Sequence, residues 1–201
     1  MAPLLYLITP ANADPAAFSR LLMQVLTGPE IAALLVRRGT LGDAAYAELA
    51  ERMIQIGQAA GAAVLLENDV MLARGLGADG VHVSQGGVQA IREAVAALKP
   101  GAIVGAGAIK SRHDAMSFGE LDVDYVLFGT LDGKADPQAA ELAQWWADTF
   151  EVPAVHALPD ADAAALAATS AEFVALSDSI WNSNDPAAAL LAIDRAAREP
   201  A

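Results

Sequence analysis

The chain is 201 residues long, 55% hydrophobic and free of cysteine, with a formal net charge of −13 at pH 7. That length allows one large domain with a substantial core, and the apolar content excludes a disordered chain. The acidic balance, with no basic stripe against it, excludes a nucleic-acid binder, and the lack of cysteine excludes disulfides and thiolate metal sites, as suits a cytoplasmic protein. The opening MAPLLYLITP has a short apolar run, no basic lead and a proline stop. It predicts a first strand over 4–8 rather than a signal peptide, and no apolar run approaches the roughly 20 residues of a membrane span.

Further apolar runs of strand length follow at 32–36, 63–66, 80–83, 103–106, 125–128, 154–157 and 173–176. Between them, alanine-rich stretches of helical period predict helices at 14–26, 43–60, 69–75, 88–98, 112–120, 137–150, 161–169 and 186–198, several led by Asp, Asn or Ser as caps. Eight strand–helix units in 201 residues, about 25 residues each, predict a small (β/α)8 TIM barrel of the α/β class, one domain over 1–201. A doubly wound open sheet is the alternative, but no Gly-x-Gly-x-x-Gly follows the first strand. In a barrel, polar groups at the carboxyl ends of strands build the site. Asn68 and Asp69 stand where the third strand stops, and the HVSQ cluster, with His82 and Gln85, where the fourth stops.

Three stretches carry a family likeness: YLIT at the start, NDVMLARGLGADGVHVSQ over 68–85, and DYVLFG over 124–129. In that order and spacing they resemble the thiamine-phosphate synthase family, with its thiazole-tautomerase (TenI-like) branch, across nearly the whole chain. The resemblance implies a barrel that joins a pyrimidine diphosphate to a thiazole phosphate with Mg²⁺, releasing pyrophosphate, or one that isomerises the thiazole precursor. Fold follows from such a likeness more directly than chemistry does.

Carried over position by position, the resemblance gives a mixed set. A Gln-x-Arg-x-Lys pattern ending the second strand falls on Leu35, Arg37 and Gly39, so only the arginine is kept; Arg38 points to the other face. Arg37 and Arg38 read equally as a strand-end pair in a surface ion network. Asn68 and Asp69 match the substrate and magnesium positions, although either could simply cap the following helix. Gln85 is kept, the second magnesium carboxylate falls on Gly87, and His82 reads as a hydrogen-bonded barrel residue. After the fifth strand the family's Ser and His positions hold Gly107 and Ile109. Thr130 and Lys134 are the displaced counterparts of a phosphate-binding turn, beside Asp132 and Asp136. The Gly-Gly phosphate cradle after the seventh strand reads Leu158-Pro159, and the Ser after the eighth reads Asp178, or Ser177 or Ser179 if the match slips by one.

The survivors lie on strands two to four and the losses on strands five, seven and eight. His156, Asp178 and Trp181 could then line a mouth suited to a neutral or cationic ligand, unless Trp181 only covers the rim. Trp145 and Trp146 read as core or interface anchors. The expectation is a divergent family member that has lost the phosphate cradle and does not run the synthase reaction efficiently. The alternative is an active synthase, with Asp69 on Mg²⁺. A third idea is different acid–base chemistry on Asp69, His82, His156 and Asp178. The implied partner is a small molecule of thiamine type, with no nucleic acid or membrane, and an apolar helical face would suit a homodimer.

Overall fold

The computed structural model describes residues 2–159 and 161–198. Eight parallel strands close into one barrel in sequence order: β1 (Leu4–Ile8), β2 (Ala33–Val36), β3 (Ala63–Glu67), β4 (Gly80–Val83), β5 (Ile103–Ala106), β6 (Tyr125–Phe128), β7 (Ala154–Ala157) and β8 (Phe173–Leu176). The helices are α1 (Pro15–Val25), α2 (Asp43–Ala59), α3 (Val70–Leu76), α4 (Gly87–Leu98), α5 (Arg112–Gly119), α6 (Ala139–Ala147), α7 (Ala163–Ala168), α8 (Asp178–Trp181) and α9 (Pro186–Arg198). The (β/α)8 expectation holds, and strand bounds agree within one residue. Among the described residues no helix is long and apolar enough to cross a membrane.

Alternation along each strand sorts the side chains. Tyr6, Ile8, Ala33, Leu35, Leu65, Tyr125, Leu127, Val155, Ala157 and Ala175 pack together inside the barrel. Their neighbours, such as Leu7, Leu34, Val36, Val64, Leu66, Val104 and Val126, face the helix layer and form the larger core. Trp146 belongs to that layer: it is buried, stacks on Phe150 and donates from Nε1 to the Val152 carbonyl at 2.7 Å. Trp145 is half-buried beside it, with the Arg112 guanidinium over its ring.

The lower end of the barrel is tied by carboxylates that each precede a strand. Asp79, Asp124 and Glu172 accept backbone N–H bonds from Val64, Val104 and Ala154 of the preceding strand at 2.7, 2.7 and 2.8 Å. Part of the acidic excess therefore does structural work at the end of a barrel where stability, not chemistry, is set.

A polar column rises through the middle. Tyr6 and Tyr125 share a hydrogen bond of 2.8 Å between their hydroxyls, and Tyr125 shares another of 2.9 Å with His82 Nδ1. His82 and Tyr125 also stack, with ring planes 12° apart. Two glycines make room for these rings. A Cβ on Gly105 would lie 2.0 Å from Tyr125 Cζ, and one on Gly107 would lie 2.5 Å from His82 Nε2.

Two departures from the predicted elements bear on the rim. Asp69 is the cap of α3 rather than its first residue, and a single turn, α8, follows β8 where no helix was expected. One turn is too short to give a readable period.

Candidate active site

The mouth at the carboxyl ends of the strands is the natural place for a site. Continuing each strand's inward alternation gives its top layer: Arg37 on β2, Glu67 on β3, Ser84 on β4, Gly107 on β5, Gly129 on β6, Pro159 on β7 and Ser177 on β8. Side-chain chemistry is therefore concentrated on β2–β4.

Glu67 is the centre of that group, and it lies outside the positions matched to the family in the sequence. Its side chain is only 11% exposed. One carboxylate oxygen accepts the Ser84 hydroxyl at 2.9 Å, and the other accepts the Arg38 backbone N–H at 3.2 Å. That second oxygen also stands 4.0 Å from Arg37 Nε. Arg37 spends Nη1 on the Leu131 carbonyl at 3.0 Å, while its buried Nε has no hydrogen-bond partner among the described residues. Its signal in the sequence is a charged residue closing the apolar run AVLLE, directly before the Asn-Asp pair.

Asn68 and Asp69 hold the rim in shape. Asn68 adopts a left-handed backbone (φ 57°), which asparagine tolerates better than most residues. Its side chain accepts from the Ser84 and Gln85 N–H groups at 2.8 and 3.3 Å and donates to the Ser84 hydroxyl at 2.8 Å, clamping β3 to β4. Asp69 caps α3 by accepting the Leu72 N–H at 2.9 Å, and its other oxygen lies 3.8 Å from Arg38 Nη1. Asn68, Asp69 and Gln85 line an outer cleft of about 440 Å³ between α3 and α4.

Asp69 is the carboxylate to which Mg²⁺ was assigned. One oxygen is used in the cap, the other faces a guanidinium, and Gly87 supplies no second carboxylate. Among the described residues no three His, Cys, Asp or Glu side chains gather as a metal-holding group. These donors do not fit a magnesium ion held by the protein alone, which takes near-ideal octahedral oxygen ligation.

The loop after β6 folds over the mouth. Thr130 donates to the Lys134 carbonyl at 2.8 Å, and Lys134 Nζ sits on Asp132 at 2.6 Å. The ammonium pulls the Asp132 carboxyl down to about 2 and the pair raises Lys134 in turn. Leu131 packs on the interior cluster. Gly133 lies so close to Ser177 and Asp178 that a Cβ there would be 2.9 Å from each.

The three residues expected to share a new mouth are not together. His156 lies on the outward face of β7, with Nδ1 3.2 Å from the Thr169 hydroxyl, in a cleft of about 300 Å³ against the loops before α6 and after α7. The inward positions of β7 are 155 and 157, so residue 156 could not have reached the mouth. Trp181 donates from Nε1 to the Ile8 carbonyl at 2.6 Å and packs edge-on against Phe18, closing the seam between α8 and α1. Asp178 is exposed at the start of α8. Burial lowers the pKa of both His82 and His156, His82 to about 3, so each is neutral near pH 7.

Comparison with known proteins gives a consistent result. A family model described as thiamine monophosphate synthase matches residues 5–180. A protein named thiamine-phosphate synthase from Hyphomonas neptunium is 37% identical, with 94% of this chain and 91% of that one covered. Another of that name from Rhodospirillum centenum is 35% identical over 96% of this chain and 97% of its own. The solved structure of a thiamine phosphate pyrophosphorylase from Pyrococcus furiosus superposes with a TM-score of 0.81 at 18% identity, covering 97% of this chain and 95% of that one.

Proposed function

Because the chain belongs to the thiamine monophosphate synthase family, a family of thiamine biosynthesis, we propose that its mouth binds a small molecule of thiamine type through the β2–β4 rim and does not run the synthase reaction efficiently. The observation that carries this reading is the top layer over β5–β8. Gly107 and Gly129 offer no side chain, Pro159 has no N–H to give, and Gly133 packs on Ser177 and Asp178 where a phosphate cradle would need open backbone donors. Hydrogen bonds to a charged group are worth roughly 1.5–3 kcal/mol each. Losing two or three weakens phosphate binding by at least about a hundredfold. Arg37 is the ligand contact inside the mouth under this reading; Asn68 and Gln85 hold the β3–β4 rim and face the outer cleft, and Thr130 and Lys134 shape the loop above.

The test is thiamine phosphate formation by the purified protein, given hydroxymethylpyrimidine diphosphate, thiazole phosphate and Mg²⁺ beside an authentic synthase. No product above background is expected. Turnover comparable to the control overturns the reading. A second reading, an active synthase, is favoured by the 37% identity to a protein of that name over 94% of this chain. It requires the Asp69 charge: turnover should vanish in Asp69→Asn, which keeps the cap and removes the charge.

A further inference from the structure

We infer that Glu67 sets the charge preference of the mouth: by compensating Arg37 it excludes anionic ligands and leaves the site to neutral or cationic ones. The inference rests on the reading of the mouth as a small-molecule site. Arg37 and Glu67 occupy adjacent inward positions at the top of β2 and β3, and both side chains are mostly buried, at 17% and 11% exposure. A buried guanidinium is a strong anion anchor when it is free. Here its Nε faces a carboxylate and one of its Nη groups is taken by the Leu131 carbonyl.

Two neighbouring cations are occupied in the same way. Arg38 pairs with Asp43, stands 3.8 Å from Asp69 and covers the Tyr46 ring, and Lys134 pairs with Asp132. Lys110 stands farther out, in a cleft between α4 and α5 that shares Ser84 and Gly107 with the top layer. An anion entering the mouth would meet Asp132 and Asp178 on the loops and Glu67 beneath them, within a chain of net charge −13. Glu67 is held in place by Ser84 and the Arg38 N–H, so it cannot swing aside without losing both bonds.

The experiment is calorimetric titration with inorganic pyrophosphate, without metal, of the full chain and four variants. The unaltered chain should bind weakly, and Glu67→Gln, which keeps one oxygen for Ser84 or the Arg38 N–H, should bind about tenfold to a hundredfold tighter as Arg37 is freed to make charge-assisted bonds. Glu67→Asp should stay as weak as the parent, because the charge is restored. The double variant Glu67→Gln/Arg37→Gln should lose the gain, and Arg37→Gln alone should change little. Unchanged affinity in Glu67→Gln, or tight binding by the parent that Arg37→Gln abolishes, overturns the inference; the latter needs no Glu67 variant to fold. Thiamine phosphate formation by the parent would bring two anionic substrates into the mouth and overturn the proposed function and this inference together, whereas unchanged pyrophosphate affinity in Glu67→Gln without any turnover overturns the inference alone, so the two failures are distinguishable.

Discussion

The two halves of the upper rim are built on the same short strands and end in opposite ways. Over β2–β4 the top layer is Arg37, Glu67 and Ser84, joined to one another and to Asn68 by side-chain contacts. Over β5–β7 it is Gly107, Gly129 and Pro159. The difference begins one layer down. Below β2 and β3 the interior holds Leu35 and Leu65, which leave the rim free. Beside β5 the His82 ring of the central column rises into the space a side chain on Gly107 would need. A barrel rim can carry chemistry only where the layer beneath stops short of it.

The most direct way to break this comparison is to put the family's serine back. Gly107→Ser places a Cβ 2.5 Å from a fully buried imidazole and should cost about 3 kcal/mol, the upper end for overpacking, read from the urea midpoint. On the other half Ser84→Ala removes the bond donated to the Glu67 carboxylate and the one accepted from Asn68, and should cost less, about 2 kcal/mol. Equal costs would mean that the column does not dictate the β5 rim.

Acid sharpens the contrast next. His82 stays neutral in the fold down to about pH 3 because it is buried, whereas an unfolded histidine takes a proton near pH 6.5. Below pH 6.5 the unfolded chain binds the extra proton, so stability is lost as pH falls toward 3, at up to about 1.4 kcal/mol per pH unit. His156, also lowered by burial, adds with the same sign. Urea midpoints between pH 7 and 4 should show this slope, and His82→Gln should flatten it even if it lowers the whole curve.

Smaller effects separate framework from function at Asp69. Asp69→Ala should cost about 1 kcal/mol by removing the cap of α3, while Asp69→Asn should be nearly neutral, since asparagine caps as well. A matching loss in both would place the stability in the charge facing Arg38. Smallest of all, Lys134→Ala should leave the melting temperature unmoved, because the Lys134–Asp132 pair lies on an exposed loop.

The barrel was legible because strand and helix periods are strong and repeat eight times. Alternation also places Arg37 and Leu35 inside, and on β7 the same rule turns His156 outward, away from the mouth. Glu67 is legible in principle, as a carboxylate closing an apolar strand directly before the Asn68-Asp69 pair. Other facts had no sequence signal. Asp69 reads in sequence as either ligand or cap, and only geometry shows the N–H of Leu72 on its oxygen. That Gly105 and Gly107 yield space to rings from β4 and β6 depends on neighbours 20 or more residues away.

The central column has a surplus of protons. Tyr6, Tyr125 and the neutral His82 bring three, and the two hydrogen bonds between them use two. If the bonds run upward, from Tyr6 through Tyr125 into His82 Nδ1, the surplus is a single N–H on Nε2. If they run downward, the Tyr6 proton is stranded and the Nε2 lone pair is stranded as well. Each buried group left unmatched costs about 1–3 kcal/mol, so the upward direction wins. The barrel thus holds His82 in one tautomer with its donor turned toward Gly107, and the imidazole nitrogen resonances should report a protonated Nε2 and a bare Nδ1.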